Sequence, residues 1–488
     1  MKQPMRIVGA VAAAMALTVS ACGSDSPAKG SGSTVKSNCP VDKFKSATTP
    51  TEVIVWHSYV GKTKQTLEKI AADYNASQTK VKVTVESQGN SYEELLRKFK
   101  QALPSKKLPA IELGEDSDTQ TMVDTKAVLP AQDCIDADAD PRGKMADTLP
   151  AITEHYSING KIQPAAFNVS TIVLYYNRDH FRKAGLDPDM PPTTLDEVYA
   201  DAAKLKAAKV TAQPFVLKTD PWFVEQWVTG AGAPIVDHDN GRSGLAEKSS
   251  FDNPATHRVY DWLAKMKKAD LINAVPGTEG QINHYLAMAT QKASMAIETS
   301  TAITTINGVI QGTFDPADLG QENNPAVAAF KGIKISLDVG VGLDPGLDAP
   351  GKGQVGGGVW YITNTGTPEV QSAAWDFAKY FNETAQQVQW TLDGSYLPIM
   401  KSVNADPAIT KEFTSSQRGK WLAISTDGLA HLDAKFNGPI IGPYTATRQA
   451  IRKSIEGVLQ TGQSPSDAIK QADTDINTAL KDYKDSNF

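Results

Sequence analysis

The chain has 488 residues, of which 49 are Lys or Arg and 55 are Asp or Glu, and its formal net charge is −6. This acidic balance argues against a nucleic-acid-binding protein, because such proteins present a basic face. The length is sufficient for two domains of ordinary size. The three cysteines form neither a CxxC motif nor a spacing typical of metal ligands, so we predict no metal site and no cofactor.

The first 21 residues have the pattern of a secretory signal peptide. Lys2 and Arg6 give a basic start, and residues 7–21 form a nearly uninterrupted apolar run. This run is shorter than the about 20 apolar residues that a membrane-spanning helix requires. We therefore predict a signal peptide over residues 1–21.

Small residues precede Cys22 where the apolar run ends, which resembles the cleavage site of a bacterial lipoprotein. We predict that Cys22 is lipidated and anchors the protein to the outer face of the bacterial cytoplasmic membrane. The alternative is an ordinary secretory signal with a chance cysteine. Residues 22–45 begin with a stretch rich in Gly, Ser and Lys, and we predict that they form a flexible tether.

Cys39 and Cys134 can close a disulfide in an oxidising compartment, and two free thiols are the alternative.

The predicted elements that follow alternate between strands and helices. Residues 52–56 have the pattern of a short buried strand, and the helix after it carries Leu67 and Ile70 on one face. Residues 81–85 alternate as a second strand, and residues 109–113 predict a third after another helix. Repeated βαβ units of this kind predict a mostly parallel sheet covered by helices.

A similar pattern begins again at residues 171–176, which predict a strand. Thr194, with a glutamate three residues later, has capping-box spacing and predicts a helix that ends near Lys206. Residues 344–358 are rich in Gly and Pro and predict a loop. Further helices are predicted over residues 259–268, 370–382 and 447–459.

Several motifs, spread in order over nearly the whole chain after the signal, resemble one family. They are Val55-Trp56-His57-Ser58, the stretches 166–179 and 181–188, Gly356-Gly357-Gly358 with Trp360, Tyr396-Leu397-Pro398-Ile399, and residues 442–456 with Arg448. With these motifs the chain resembles the family 1 extracellular solute-binding proteins of ABC importers, and within them the glycerol-3-phosphate-binding branch.

The resemblance implies an α/β fold of two lobes, of the kind found in periplasmic binding proteins, with the ligand in the cleft between them. The implied crossings between the lobes lie near residues 165–170, 298–301 and 356–360. The expected lobes are residues 46–166 plus 300–355 and residues 167–299 plus 356–488. The expected partners are a small polar solute, an ABC permease with its ATPase, and the membrane through the lipid anchor. The family usually works as monomers.

The resemblance also indicates residues that contact the ligand. Arg448 matches the arginine that the family uses for phosphate, and its planar guanidinium suits phosphate oxygens. We expect it in the first turn of a helix, where backbone N–H groups also favour an anion, and we expect Arg452 at the surface. Asp116 matches a carboxylate that accepts ligand hydroxyls, with Glu115 and Asp118 as alternatives. The other matched positions are Tyr92, Ser170, Trp222, Thr299, Gly356, Gly357 and Tyr396.

One position departs from the family pattern. The family has a tryptophan where Thr219 stands. Asp220, which we also expect to contact the ligand, follows it and adds negative charge near the expected cleft. Both differences weaken the case for glycerol-3-phosphate itself and favour a larger or neutral ligand. We therefore expect a protein that binds glycerol-3-phosphate or a glycerophosphodiester, with an oligosaccharide-binding protein as the alternative.

No catalytic motif such as HExxH, G-x-S-x-G or a P-loop is present, so we expect a binding protein and not an enzyme. A secreted hydrolase that uses Glu112 and Glu115 as paired carboxylates is a remote alternative. Residues 237–241 resemble the start of a calcium loop, but Lys248 stands where a bidentate glutamate is required. A sensor or adhesion protein that binds a ligand without transport is a further alternative.

Overall fold

In the computed structural model of the protein, residues 38–277, 281–352, 354–394 and 396–487 are described. The predicted signal peptide and Cys22 lie outside these residues. The strands of the described part are β1 (Thr51–His57), β2 (Val81–Ser87), β3 (Ile111–Glu115), β4 (Val128–Leu129), β5 (Ser157–Ile158), β6 (Lys161–Ile162), β7 (Ala165–Ala166), β8 (Ile172–Asn177), β9 (Phe215–Lys218), β10 (Ile272–Val275), β11 (Met295–Thr299), β12 (Val339–Leu343) and β13 (Gly358–Thr363).

The helices of the same residues range from single turns to the long C-terminal helix. They are α1 (Gly61–Ser77), α2 (Tyr92–Ala102), α3 (Thr119–Asp124), α4 (Ala131–Ala137), α5 (Pro150–His155), α6 (Arg178–Lys183), α7 (Leu195–Ala207), α8 (Pro221–Gly230), α9 (Asp237–Asn240), α10 (Pro254–Lys268), α11 (Asn283–Ala289), α12 (Ala302–Gln311), α13 (Pro325–Ala328), α14 (Pro368–Phe381), α15 (Thr384–Gly394), α16 (Lys401–Asn404), α17 (Pro407–Ser415), α18 (Gln417–Ala430), α19 (Tyr444–Glu456) and α20 (Pro465–Asn487). Within α9 the backbone is left-handed at His238 and Asp239. None of these helices is both long and apolar enough to cross a bilayer.

Two sheets form the centres of two lobes, which confirms the predicted two-lobed α/β fold. The first sheet has the order β2-β1-β3-β13-β4, with β7 paired to β13. The second has the order β10-β9-β11-β8-β12. Each sheet has its own buried apolar core. A third cluster contains Tyr361 of β13, Tyr175 of β8 and Trp421 of α18, and therefore joins the lobes.

The sheets are less parallel than predicted. β1 pairs in parallel with β2 and β3, as βαβ units require. β13, however, runs antiparallel to β3, and β8 runs antiparallel to β11. Both β13 and β8 are entered directly after a crossing from the other lobe, so the rule for βαβ connections within one sheet does not apply to them.

The strand pairing corrects the expected lobe boundaries after residue 300. β12 lies in the second sheet and β13 in the first, the reverse of the expected assignment of residues 300–355 and 356–488. α14 packs on β1 and α15 on α1, so both belong to the first lobe, whereas α19 packs on α8 in the second. The chain thus leaves the first sheet after β7 and returns to it at β13.

The second expected crossing, near residues 298–301, leads into a segment that touches both lobes. A 3₁₀ turn at Pro316–Leu319 contacts α1 of the first lobe. α12 contacts α18, which packs on β12 of the second. This segment therefore bridges the lobes beside the cleft.

The end of the predicted tether is also corrected, because the chain is already folded before residue 45. Cys39 and Cys134 form a disulfide. Phe44 is buried, and its N–H donates to Ser372 Oγ of α14 at 2.9 Å. The start of the described chain is thereby fixed to the first lobe.

Candidate functional site

A cleft of about 380 Å³ lies between the lobes, and all ten residues expected to contact a ligand line it. They are Tyr92, Asp116, Ser170, Asp220, Trp222, Thr299, Gly356, Gly357, Tyr396 and Arg448. The resemblance thus identified positions that are far apart in sequence and that the fold brings together.

The sheet topology explains this convergence. Asp116 follows the carboxyl end of β3, Asp220 follows that of β9, and Thr299 ends β11. Ser170 and Gly356 precede the amino ends of β8 and β13, which run antiparallel to these neighbours. Antiparallel amino ends lie beside parallel carboxyl ends, so all five positions face one crevice, as ligand residues do in open α/β sheets.

Local capping positions two of the aromatic residues. Ser91 caps α2 by accepting a hydrogen bond from the Glu94 N–H at 3.1 Å, which places Tyr92 at the first position of the helix. Asp220 caps α8 in the same way, accepting from the Trp222 N–H at 3.1 Å. A proline at the first position of α8 reinforces this start.

Arg448 is already neutralised by acids of both lobes. Its Nη1 lies 3.1 Å from Glu115 Oε1 in the first lobe, and its Nε lies 3.8 Å from the fully buried Glu225 in the second. Its guanidinium also lies over the ring of Tyr444, 4.7 Å from the ring centre. Burial opposes the charge of Arg448, but Tyr444 and the carboxylates outweigh it and raise the pKa of Arg448.

The expected place of Arg448 in its helix is corrected. α19 begins at Tyr444, so Arg448 lies beyond the first turn. Its backbone N–H is therefore not among the free donors of the helix start, and only its side chain is available to an anion.

Lys218 is a second cation of the cleft, and it too is paired. Its Nζ lies 3.1 Å from Glu298 and 3.2 Å from Asp220. Glu298 in turn lies 2.7 Å from His284 Nε2. Burial alone would lower the pKa of Lys218, but the two carboxylates raise it. The negative charge of Asp220 is thus balanced inside the protein.

The acids after β3 have different surroundings. Asp116 Oδ2 lies 3.4 Å from Nε2 of the buried His155. Asp118 Oδ2 accepts a hydrogen bond from the Glu115 N–H at 3.2 Å. Burial and then the nearby Glu115 raise the pKa of Asp118 to about 8. Asp118 is therefore mostly protonated at neutral pH.

Aromatic side chains form two parts of the wall. The hydroxyls of Tyr92 and Tyr396 lie 3.3 Å apart, and Tyr59 packs against both rings. Burial raises the pKa of Tyr92 and of Tyr396, so both hydroxyls keep their protons and can donate. Trp222 forms the other part and is half-buried.

The glycines of the third crossing, near residues 356–360, allow side chains and backbone to approach closely. A Cβ on Gly356 would lie 2.6 Å from Trp222 Cζ2, and Gly357 has a φ of +121°. The Gly356 N–H is not free for a ligand, because it donates to Ser170 O at 2.9 Å. The Ser170 N–H donates back to Gly356 O at 2.7 Å, so this pair closes the crossing.

Sequence reasoning missed one face of α19. Thr445, Gln449 and Arg452 line the cleft together with Arg448. Arg452 is half-buried and is not the surface arginine that we expected. The spacing of these residues, three or four apart from Thr445 onward, was the available signal, since it places them on one side of a helix.

The described residues that could bind a metal ion or hydrolyse a substrate do not form a site. Among the described residues, no group of three or more His, Cys, Asp or Glu side chains is arranged to hold a metal ion. Glu112 is buried and does not line the cleft, whereas Glu115 does. Nothing therefore places these two glutamates on opposite sides of a substrate.

The sequence matches known binding proteins. Residues 69–414 match the model of a family described as bacterial extracellular solute-binding proteins. The sn-glycerol-3-phosphate-binding periplasmic protein UgpB of Yersinia pestis is 25% identical over 447 residues, which cover 90% of this chain and 94% of the relative.

Solved structures share the fold at lower sequence identity. The cyclic alpha-maltosyl-1,6-maltose binding protein of Arthrobacter globiformis has a TM-score of 0.69 at 21% identity, over 89% of this chain and 100% of its own. UgpB of Mycobacterium tuberculosis, solved with glycerophosphocholine, has a TM-score of 0.68 at 16% identity, over 90% of this chain and 100% of its own. These likenesses support the same two-lobed fold.

Proposed function

Because the chain belongs to the family of bacterial extracellular solute-binding proteins, we propose that it captures a glycerophosphodiester in the interlobe cleft and delivers it to the permease of an ABC importer. The observation that carries this proposal is the single cleft to which both lobes contribute the ten expected contacts. The names of the relatives indicate binding proteins, which favours a binding role over an enzymatic one.

The charges of the cleft favour a diester over glycerol-3-phosphate. Six acids line it, Glu93, Glu115, Asp116, Asp118, Asp220 and Glu298, against the three cations Lys218, Arg448 and Arg452. Asp118 is mostly neutral at pH 7, yet acids still outnumber cations. A phosphodiester carries one negative charge, whereas a phosphomonoester approaches two near neutral pH, so the diester meets less repulsion.

The remaining contacts suit the polyol part of such a ligand. Asp116 offers carboxylate oxygens as acceptors, and Thr299 and Ser170 offer hydroxyls. Trp222 and the pair Tyr92–Tyr396 offer flat faces against which CH groups of the ligand can pack. Gly356 and Gly357 leave the room that this packing needs.

An oligosaccharide is the second candidate ligand. A neutral sugar is not repelled by the acid-rich lining, and the aromatic walls suit sugar rings. The fold neighbour from Arthrobacter binds a cyclic maltose derivative. The cations of the cleft favour the phosphodiester.

We also propose that residues 1–21 are a signal peptide and that lipidated Cys22 holds the protein at the membrane, outside the cytoplasm. Contacts from both lobes would favour the closed form, which the permease then recognises, because only a ligand with different affinity for the two forms can shift their balance. The protein works as a monomer in this scheme.

A ligand screen by thermal shift tests the proposed function. Glycerophosphodiesters are expected to raise the melting temperature of the protein more than glycerol-3-phosphate or maltotriose at equal concentration, because tighter binding stabilises the folded state more. Recovery of the unchanged ligand after incubation is the control against hydrolysis. A shift with maltotriose and none with any phosphate compound would contradict the proposal and identify a sugar-binding protein.

A further inference from the structure

Arg452 is a cation of the cleft that the expected ligand set does not include. It lies four residues after Arg448 in α19, with Gln449 between them, and all three side chains line the cleft. Residues four apart lie on the same side of a helix. Arg452 therefore extends the cationic face of α19 beyond Arg448.

Among the described residues, Arg452 has no acid within 4.0 Å of its nitrogens, unlike the other two cations of the lining. Its Nε is buried and has no hydrogen-bond partner in the described part of the chain. Glu456, one turn further along α19, accepts a hydrogen bond from Thr219 Oγ1 at 3.1 Å. The guanidinium of Arg452 thus forms no ion pair within 4.0 Å with the described residues.

A half-buried guanidinium with an unmatched donor is unfavourable unless something else supplies the partner. An anionic ligand group would supply both the charge and the hydrogen-bond acceptors. Gln449 and Thr445, on the same face of the helix, add neutral donors and no negative charge. The surroundings on α19 are therefore suited to an anion.

We propose that Arg452, with Gln449 and Thr445, forms the anion subsite of the cleft and binds the phosphate of the ligand, while Arg448 is held by Glu115 and Glu225. This inference rests on the proposed function and specifies where the anion binds. It follows that Arg448 joins the lobes in addition to contacting the ligand, and that Arg452 distinguishes charged from neutral ligands.

Titration calorimetry with glycerophosphoglycerol, an anion without a cationic group, tests the subsite. Arg452→Gln is expected to weaken binding by about tenfold or more, since it removes a charge-assisted contact. Arg452→Lys, which keeps the charge but not the planar fork, is expected to retain part of the affinity. Raising the NaCl concentration from about 50 to 300 mM is expected to lower the affinity of the wild type, and to lower that of Arg452→Gln less.

Lys453→Gln is the matched control, because Lys453 is the next residue of the same helix, is exposed and does not line the cleft. It loses the same charge and is expected to bind like the wild type. Equal affinity of the wild type and Arg452→Gln for glycerophosphoglycerol would overturn the subsite and leave the proposed function standing. A wild type that binds only neutral sugars would overturn both.

Discussion

Asp118 is an acid of the cleft whose charge changes near neutral pH. Burial and Glu115 raise its pKa to about 8, whereas an aspartate in the unfolded chain has a pKa of about 3.9. The folded protein therefore binds this proton more tightly than the unfolded chain does. The resulting stability is complete below about pH 4 and is lost as the pH rises through about 8.

Asp118→Asn is expected to make the free energy of unfolding less dependent on pH between about 4 and 8, because asparagine has no proton to lose. Urea unfolding at several pH values measures this. Asp344, also buried and with a pKa raised to about 8, remains in the variant, so only part of the dependence should disappear. The exposed Glu322→Gln is the control, and curves that stay parallel for Asp118→Asn and the wild type would refute the assignment.

At the scale of residues, the resemblance predicted positions that line one cleft, but not the charge state of their side chains. Arg448 and Glu115 are separated by 333 residues in the sequence, so no local pattern shows that they form an ion pair. The same holds for Arg452, whose lack of a partner depends on which acids the fold brings near it. Which cation is free to bind an anion is therefore a property of the folded site.

Among the elements, the crossing segment before β13 packs closely against the cleft. A Cβ on Gly356 would lie 2.6 Å from Trp222 Cζ2 and 3.2 Å from Ser170 Oγ. Both atoms belong to residues that line the cleft. Any side chain at position 356 must therefore displace the aromatic wall or separate the paired backbone of the crossing.

Gly356→Ala is expected to lower ligand affinity by about fivefold to tenfold by moving Trp222. Calorimetry measures the affinity, and a change in tryptophan fluorescence would accompany it. Gly230→Ala is the control, since the nearest atom to a Cβ there is 3.5 Å away. Unchanged affinity in Gly356→Ala would show that Trp222 does not contact the ligand.

The elements themselves were largely predictable, because their signals are local. The capping box of Thr194 and Glu197 is present at the start of α7, and β1 alternates between buried and less buried residues along most of its length. The sheet to which a strand belongs was not predictable in the same way. β12 and β13 have similar lengths, and only pairing with distant strands assigns them to different lobes.

For the whole molecule, the Cys39–Cys134 disulfide is the covalent link between distant parts of the first lobe. Its cysteines are 95 residues apart in sequence, and closing a loop of that length restricts the unfolded chain by about 4–5 kcal/mol in the chain-entropy account. Cys39→Ser with Cys134→Ser is expected to lower the urea midpoint of unfolding. Cys22→Ser is the control and should unfold like the wild type, whereas identical midpoints for the double variant would contradict a stabilising role.

The position of β13 also determines how much of the chain must be made before the first sheet can be complete. β13 lies between β3 and β4 in the first sheet, although it follows the entire second sheet in the chain. A polypeptide exported from its amino terminus would present β3 with one unpaired edge until residue 358 emerges. Such an edge is a site for pairing with other chains. The first lobe can therefore not be produced as one continuous fragment, and its sheet is incomplete until about the last quarter of the chain is available.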